Sequence, residues 1–415
     1  MREMKDSGIS WVGEIPKEWS VNRAKYCFVN TKEIAGCRSD RYERLALTMN
    51  GVIKRSKDDS NGLQPEKFET YQILRPDELV FKLIDLQNVS TSRVGLSPYL
   101  GLVSPAYIIL KSNKRVLPAY AEKYFLMLWK NQIFNALGDA GVRSNLNSKD
   151  LLELSIPFPT LVEQQRIAEF LDKECGKIDG LKADIQAQID TLEQYKRSII
   201  TEAVTHGLNP SAPMKDSGIP WVGKTPEYWK VGRIGGLYEL RNQKVSDKDF
   251  MPLSVTMKGI LPQLETAAKT NDGDNRKLVR VGDFAINSRS DRRGSCGISD
   301  YDGSVSLINT ILKPRNRMNA KYYNWLFHTP MFADEFYKWG HGIVDDLWTT
   351  NWSEMKRISI PLPPLDEQQE IADYLDNKCA EIEQIIADKK SQIETLDGYK
   401  KSLIYEYVTG KKEVG

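Results

Sequence analysis

The sequence predicts an α+β fold in which two α/β domains are separated by two long antiparallel helices, arranged as a pseudo-twofold circular repeat. The block Asp-Ser-Gly-Ile-x-Trp-Val-Gly occurs at residues 6–13 and again at 216–223. The block Ile-Pro-x-Pro followed by Glu-Gln-Gln occurs at 156–165 and again at 360–369. The sequence between these blocks has diverged. This pattern is expected of two modules that do the same job on two different targets.

Length and composition indicate an ordinary globular protein. The 415 residues are enough for two or three domains, and 40% hydrophobic with 27% charged residues is typical of soluble proteins. The net charge is only +2, so any nucleic-acid surface must be local. The N-terminus lacks an apolar segment and the chain lacks a run of about 18 apolar residues, so we expect a cytoplasmic protein without membrane association.

Two segments have the apolar period of a long helix with a narrow seam. Pro159 and Pro363 precede them, and Glu163 and Glu367 suit the positive helix N-termini. A helix over 161–204 would be about 65 Å long. So narrow a stripe needs a partner, and we expect the two helices to pair as a coiled coil. The predicted helix-pairing residues are Ile167, Leu171, Ile178, Ile185, Leu192, Ile199, Ile371, Leu375, Ile382, Ile386, Ile393 and Leu396. The stripe also includes Leu181, Cys175, Tyr195, Cys379 and Tyr399.

The intervals before the helices contain short β-branched or aromatic runs, which predict irregular sheets. Predicted strands include 79–81, 107–110, 284–286 and 308–312, and aromatic helices are predicted at 120–137 and 322–339. The predicted boundaries are a conserved segment at 1–19, variable domains at 20–155 and 230–359, a central conserved region at 156–229 and a C-terminal one at 360–415. Because the order of the blocks is circular, we expect 1–19 to complete the C-terminal half and 214–229 the first.

Residues 218–225 match the Walker A pattern G-x-x-x-x-G-K-[ST]. A P-loop lies between a buried strand and a helix N-terminus. Here the preceding residues 207–213 do not resemble a strand, Pro226 follows at once, and the first copy lacks the lysine. We therefore expect no nucleotide site.

Motifs for catalysis or metal binding are also missing. The three histidines are not in H-E-x-x-H, there is no G-x-S-x-G, and the five cysteines show no C-x-x-C pair. We predict no catalytic residues and no metal, with Cys175 and Cys379 as small core residues.

Polar clusters suited to DNA occur inside the variable domains. Arg, Asn and Gln can pair with guanine and adenine edges, and Lys and Arg with phosphates. The predicted DNA-binding residues are Lys82, Gln87, Asn88, Arg93, Arg143 and Asn145 in the first domain, and Arg241, Asn242, Lys244, Asn287, Arg289, Arg292 and Arg293 in the second. Arg38, Arg41 and Arg44 are further candidates. A solvated surface loop is the alternative for any single cluster, but occurrence in both copies favours function for 82–93 and 287–293.

The duplicated blocks, in this circular order, resemble the specificity (S) subunits of type I restriction–modification systems over essentially the whole chain. The resemblance implies that each variable domain is a target recognition domain that reads one half of a bipartite, asymmetric site in double-stranded DNA. It implies that the helices set the spacer and dock two modification subunits, which carry S-adenosylmethionine and methylate adenine. Restriction subunits using ATP and Mg would join them. The chain itself would be non-catalytic and bind no cofactor.

An alternative function is a coiled-coil scaffold whose heads bind proteins and not DNA. The nearly neutral net charge supports it. DNA binding weakens steeply with salt, which distinguishes the two functions.

Overall fold

The computed structural model describes residues 2–59, 67–86, 92–137, 145–263, 273–315, 318–342 and 348–415. The chain forms two compact units. Unit 1 comprises Met1–Ile185 and Lys390–Gly415, and unit 2 comprises Gln186–Lys389. The unit boundary falls inside both long helices, α4 (Leu161–His206) and α9 (Leu365–Val408). Each long helix therefore contributes residues to both units.

Unit 1 is a mixed α/β structure. Its described strands are β1 (Met4–Asp6), β2 (Glu14–Pro16), β3 (Ser20–Arg23), β4 (Phe28–Thr31), β5 (Arg44–Thr48), β6 (Gly51–Arg55), β7 (Gln72–Leu74), β8 (Leu79–Phe81), β9 (Val94–Leu96), β10 (Gly101–Val103), β11 (Ile108–Ser112) and β12 (Ser155–Phe158). Its shorter α-helices are α1 (Pro118–Lys130), α2 (Ile133–Leu137) and α3 (Ser148–Glu153), and 3-10 turns lie at Ala24–Tyr26, Gly36–Arg41 and Phe68–Thr70. Two four-stranded sheets have the orders β6-β5-β10-β7 and β4-β11-β8-β9, and β1-β2 and β12-β3 are two-stranded.

The central strands of unit 1 are buried on both faces. Leu79 and Phe81 of β8 join the core under α1, where Phe81 packs edge-on against Phe125 with ring centroids 5.0 Å apart. Val80 points the other way, into a second core beneath the β5–β6 hairpin. Successive strand residues face opposite sides of a sheet, so a three-residue apolar run supplies both cores.

Unit 2 repeats this design. Its described strands are β13 (Met214–Ile219), β14 (Gly223–Pro226), β15 (Lys230–Arg233), β16 (Tyr238–Arg241), β17 (Lys244–Val245), β18 (Leu253–Thr256), β19 (Gly259–Pro262), β20 (Arg276–Val279), β21 (Phe284–Asn287), β22 (Cys296–Ile298), β23 (Gly303–Val305), β24 (Asn309–Pro314) and β25 (Ser359–Leu362). Its shorter helices are α5 (Ile234–Leu237), α6 (Ala320–Phe327), α7 (Pro330–Lys338) and α8 (Trp352–Met355), with a 3-10 turn at Ser290–Arg292. The sheets have the orders β16-β24-β21-β22, β17-β20-β23, β18-β19, β13-β14 and β15-β25.

The core of unit 2 shows the same alternation. Phe284 and Ile286 of β21 face the helices, whereas Ala285 faces the smaller core under the β18–β19 hairpin. The four strands predicted from apolar runs are confirmed to within one or two residues as β8, β11, β21 and β24. Each predicted aromatic helix is two helices, α1–α2 and α6–α7.

The long helices run antiparallel within each unit. In unit 1 Asp179 pairs with Lys400 at 2.7 Å and Lys182 with Asp397 at 2.5 Å, so the partner number falls as the chain advances. In unit 2 Lys196 pairs with Glu383. The predicted antiparallel pairing is confirmed. Across the described residues, no helix is long and apolar enough to span a membrane.

The predicted helix-pairing residues are buried to different degrees. Near the ends of the helix pair they lie in the domain cores: Ile167, Leu171 and Ile178 share the core of unit 1 with Leu403 and Ile404 of α9. Four are only partly buried: Ile185, Leu192, Ile393 and Leu396. Of the remaining five, Ile371 and Leu375 belong to the unit 2 core, and Ile382, Ile386 and Ile199 are buried.

Three other members of the stripe are exposed, namely Leu181, Tyr195 and Tyr399. The assumption that they belong to the seam was wrong. A helix with 3.6 residues per turn drifts away from a strict seven-residue repeat, so some positions rotate to the surface. Cys175 and Cys379, in contrast, are buried as expected.

In unit 1 the variable domain is held to both long helices at one joint. Trp19, which is 1% exposed, donates its indole N–H to Glu163 at the start of α4, at 3.0 Å. The buried Tyr120 hydroxyl donates to the backbone carbonyl of Val408 at the end of α9, at 3.1 Å. Gly410 follows α9 with φ +71°, and a Cβ there would collide with Trp19. A glycine is needed at this helix end for both reasons.

The same joint occurs in unit 2 with equivalent residues. Trp229 donates to Glu367 at 2.9 Å. The Tyr322 hydroxyl donates to the carbonyl of Val204 near the end of α4, at 2.8 Å. Gly207 follows α4 with φ +76°. Each joint therefore joins a tryptophan before the domain, a tyrosine within it, the start of one long helix and the end of the other.

The glutamine after each of these glutamates fixes the joint further. Gln164 is buried, accepts a hydrogen bond from the backbone N–H of Leu117 at 2.8 Å and donates to the Pro159 carbonyl at 2.9 Å. Gln368 likewise accepts from the N–H of Asn319 at 2.8 Å. These contacts bring the first turns of α1 and α6 to the start of the long helices. They give a structural reason why Glu-Gln is kept in both copies.

The end of α9 lies beside the N-terminal segment, as the circular order of the blocks predicts, because the Tyr405 hydroxyl and the Lys411 ammonium both donate to the Val12 carbonyl. Residues 2–19 belong to unit 1 and 214–229 to unit 2. Trp11 donates its indole N–H to Tyr124 on α1 at 3.1 Å, and the Lys411 ammonium donates to the Val12 carbonyl at 2.7 Å. Each segment leads directly into a strand of the domain that follows it, β3 or β15, so it packs on that domain. The end of the long helix that lies beside each segment comes from the other half of the sequence.

Candidate nucleic-acid interface

The loop after β21 in unit 2 has a fixed base. Asn287 is 6% exposed, and its side-chain oxygen accepts from the Arg289 backbone N–H at 3.0 Å. Its own N–H donates to the Ser295 carbonyl at 2.8 Å, which closes the loop. The Ser288 and Thr310 hydroxyls are hydrogen-bonded at 2.9 Å. Asn287 therefore shapes the loop, and its contact with a base stays a prediction.

The arginines of this loop lie beyond its base. Arg292 has a side chain that is 68% exposed and lies 3.6 Å from the Asp291 carboxylate. Arg293 is 54% exposed, pairs with Asp334 at 2.7 Å and lies over the Tyr337 ring, 5.3 Å from its centroid. Exposed ion pairs of this kind are weak, so a phosphate could displace the carboxylates. Burial raises the pKa of Tyr337, which keeps its hydroxyl neutral under Arg293.

Arg289 is partly buried and its backbone pairs with that of Thr349. Asn242, just before β17, and Lys244, the first residue of β17, are both exposed. The structure thus leaves Asn242, Lys244, Arg289, Arg292 and Arg293 at or near the surface of unit 2 as candidates.

Arg241 is held by a structural ion pair. Its Nε and Nη2 donate to the two oxygens of Asp283 at 2.6 and 3.0 Å, and Asp283 is 2% exposed. The hydrogen bonds that Arg241 donates to Asp283 raise the pKa of Arg241. Removing Arg241 would leave the buried Asp283 carboxylate without its charge partner. Arg241 therefore supports strands β16 and β21, and its contact with DNA stays a prediction.

The equivalent loop of unit 1 is braced from within. Arg93 is fully buried and donates to the Asp85 carbonyl at 2.5 Å, while the Asp85 N–H donates to the Asn145 side chain at 3.1 Å. Burial lowers the pKa of both Arg93 and Lys82. Arg93 braces this loop from within, and its contact with DNA stays a prediction. The predicted residues Gln87, Asn88 and Arg143 lie outside the described residues.

Unit 1 has a basic groove, and only part of its lining was predicted from the sequence. It has a volume of about 590 Å³ and runs along the base of the β5–β6 hairpin. Its cationic lining residues are Arg41, Arg44, Lys54, Arg55 and Lys57. Lys54 pairs with Glu43 and Arg55 with Asp59, both at 2.6 Å. The sequence signal was the charge cluster at 54–57 at the end of a strand.

The Walker A match is a β-hairpin. Strands β13 and β14 pair with Ile219 opposite Gly223, and Gly218 and Gly223 have positive φ of +69° and +78°. A strand–turn–strand does not present a helix N-terminus to a phosphate. Within the part of the chain that the structure describes, no three or more His, Cys, Asp or Glu residues are grouped to hold a metal ion.

The model of the type I restriction modification DNA specificity domain matches residues 57–191 and 226–395, more than half of the chain. The chain therefore belongs to this family. It is 24% identical to the provisionally named MjaX specificity subunit of Methanocaldococcus jannaschii, over 97% of this chain and 96% of that one. It is 21% identical to the EcoKI specificity subunit of Escherichia coli, over 75% and 72%.

A solved chain from work on complex assembly and conformational transition of the type I R-M system has the same fold. Its TM-score is 0.70 at 14% identity, over 96% of this chain and 99% of that one. Specificity subunits are the non-catalytic members of type I systems, and membership of their family places this chain among them.

Proposed function

We propose that this chain recognises double-stranded DNA and that each unit reads one half of a bipartite, asymmetric site. The observation that carries the proposal is that two equivalent joints hold two domains with different polar surfaces. Unit 2 offers the Arg292–Arg293 loop, and unit 1 offers the groove that contains Arg41 and Lys54. Two different half-sites need different arrangements of base and phosphate contacts, while the mounting of the readers can remain the same.

In this proposal the paired helices set the length of the DNA spacer that neither domain contacts. They also provide docking surfaces for two modification subunits. Equivalent exposed leucines at the starts of α4 and α9, Leu161 and Leu365, support identical docking at two places, because they are 48% and 53% exposed. The Asp179–Lys400 ion pair and its equivalent Lys196–Glu383 support a fixed helix register.

The assembled complex would carry out the chemistry through its other subunits. The modification subunits would bind S-adenosylmethionine and methylate adenine, and the restriction subunits would use ATP and Mg. This chain would bind no cofactor of its own. Its contribution to the reaction would be the choice and placement of the target.

The test is duplex binding by the full chain with its modification subunits, measured by fluorescence anisotropy at several salt concentrations. If DNA is bound through 6–10 phosphates, affinity should fall by about 10³–10⁵ between 50 and 200 mM salt. A complex that assembles normally but shows no salt-dependent DNA binding would favour the protein-binding scaffold instead.

A further inference from the structure

An exposed methionine occupies the tip of a tight hairpin in unit 1. Strands β5 and β6 pair with Thr48 opposite Gly51, which leaves Met49 and Asn50 as the two-residue turn. The Thr48 hydroxyl donates to the Gly51 carbonyl at 3.0 Å and accepts from the Asn50 N–H at 3.1 Å. Gly51 has φ +84°. Threonine and glycine thus form the turn, and the Met49 side chain, which is 52% exposed, is not needed for it.

Unit 2 has the same tip. Thr256 lies opposite Gly259, and Met257 and Lys258 form the turn. The Thr256 hydroxyl donates to the Gly259 carbonyl at 2.9 Å and accepts from the Lys258 N–H at 3.0 Å. Met257 is 72% exposed. An exposed apolar side chain therefore occupies the same position in both domains.

Both tips lie beside the strand that follows the predicted DNA-binding loop. In unit 2 the turn glycine Gly259 touches Gly297 of β22, where an added Cβ would lie 2.8 Å from the Gly259 Cα. In unit 1 Met49 borders a cavity of about 670 Å³ that is lined by Ser92 and Val94 and also by α1, α4 and α9, which contribute Lys130, Lys182 and Lys400. Each tip therefore lies close to the first residues that follow the loop.

The identity of the methionines constrains what they contact. Two readers of different half-sites should differ where they meet bases, as the neighbouring tip residues Asn50 and Lys258 do. A residue kept in both should meet something common to both half-sites. A thioether is soft and apolar, so it does not suit phosphates. Deoxyribose rings are apolar, line the groove walls and recur at every base pair, and apolar side chains inserted into grooves are an established mode of binding.

We propose that Met49 and Met257 enter a groove of the DNA and make apolar, sequence-independent contacts with its sugar walls. This inference rests on the proposed DNA-binding function and adds a specific site to it. The methionines supply affinity that does not depend on charge. The polar surfaces of the two domains, the Arg292–Arg293 loop in unit 2 and the groove with Arg41 and Lys54 in unit 1, supply the choice of sequence.

The experiment compares Met49→Ala, Met257→Ala and the double variant in the full chain assembled with its modification subunits. Each single variant should bind target and non-target duplexes about three- to tenfold more weakly, as expected for loss of a partly buried methionine contact. The salt slope should be unchanged because no phosphate contact is lost. The methylated motif should also be unchanged.

Ile53→Ala and Leu261→Ala are matched controls. Both residues are 41% exposed and lie on the second strand of the same hairpins, away from the tip. They should leave DNA affinity unaltered. Thermal unfolding of all five variants checks that the fold is intact.

Three results would overturn the inference: a methionine variant with unchanged affinity, one with a changed motif, or one that loses the modification subunit instead of DNA. The proposed function fails in a different way, namely if the unsubstituted complex itself shows no salt-dependent DNA binding.

Discussion

The joint of unit 2 predicts that replacing either of two adjacent tyrosines by phenylalanine changes the stability of the unit differently. Tyr322 and Tyr323 are both fully buried in α6. The Tyr322 hydroxyl donates to the Val204 carbonyl at 2.8 Å. The Tyr323 hydroxyl has no hydrogen-bond partner among the residues that the structure describes. Burial raises the pKa of both hydroxyls, so both are neutral at physiological pH.

Tyr322→Phe should destabilise unit 2 because it leaves the carbonyl at the end of α4 without this donor. A lost buried hydrogen bond costs about 1–2 kcal/mol, which for a unit of this size corresponds to a fall in melting temperature of about 2–8 °C. Tyr323→Phe removes a hydroxyl that is shielded from water and makes no hydrogen bond among the described residues. The stability of unit 2 should therefore be unchanged or slightly higher.

The assay combines thermal unfolding with hydrogen exchange of the peptide that covers the end of α4. Tyr322→Phe should accelerate exchange there, and Tyr323→Phe should not. Equal effects of the two substitutions, or no effect of either, would show that the Tyr322 hydrogen bond does not stabilise the end of α4. The methylated DNA motif should be the same for both variants, since neither residue lies in the predicted interface.

Three further changes to the chain test the interface, the hairpin and the helices. Alanine at Arg292 and Arg293 should weaken binding through unit 2: a base contact would cost about 1–3 kcal/mol and relax one position of the motif, whereas phosphate contacts would flatten the salt slope. Unchanged affinity and motif would make this a solvated loop. Lys224→Ala should leave DNA binding and ATP-dependent restriction intact, and loss of nucleotide binding would contradict the hairpin assignment. One heptad inserted after both Ile185 and Ile386 adds about 10 Å of helix and should lengthen the methylated spacer by about three base pairs. An active variant with an unaltered spacer would show that the helices do not set it.

The helices and the central strands could be predicted from the sequence because their signals are local. The apolar period and the prolines that precede it give the start of α4 at Leu161, as observed. The run 79–81 forms a strand that is buried on both faces. All of its residues are therefore apolar, and the sequence shows it as an uninterrupted apolar run. Duplication added a second, independent reading of each element.

The roles of individual polar residues could not be predicted in the same way. Arg241 looked available, but its partner Asp283 lies 42 positions away, just before β21. Arg93 looked like a loop cation, but the fold buries it beneath the turn at Asp85. Such pairings depend on tertiary packing, which neither composition nor spacing reveals. The tryptophans of the joint could be predicted as anchors on the helix ends, but the pairing of Trp19 with Glu163 depends on the fold.

A circular order of motifs does not by itself specify which domain the N-terminal segment packs on. In the structure, continuity with β3 keeps residues 2–19 in unit 1. Only the long helices contribute to both units.

The central claim is that the two variable domains read two halves of one DNA site independently. It is tested most directly by exchanging residues 20–155 for the corresponding domain of a relative and mapping methylated adenines across the genome of cells that carry the chimera with its modification subunits. We predict a motif in which one half is new, while the other half and the spacer are retained. A motif in which both halves change would contradict the independence of the two readers.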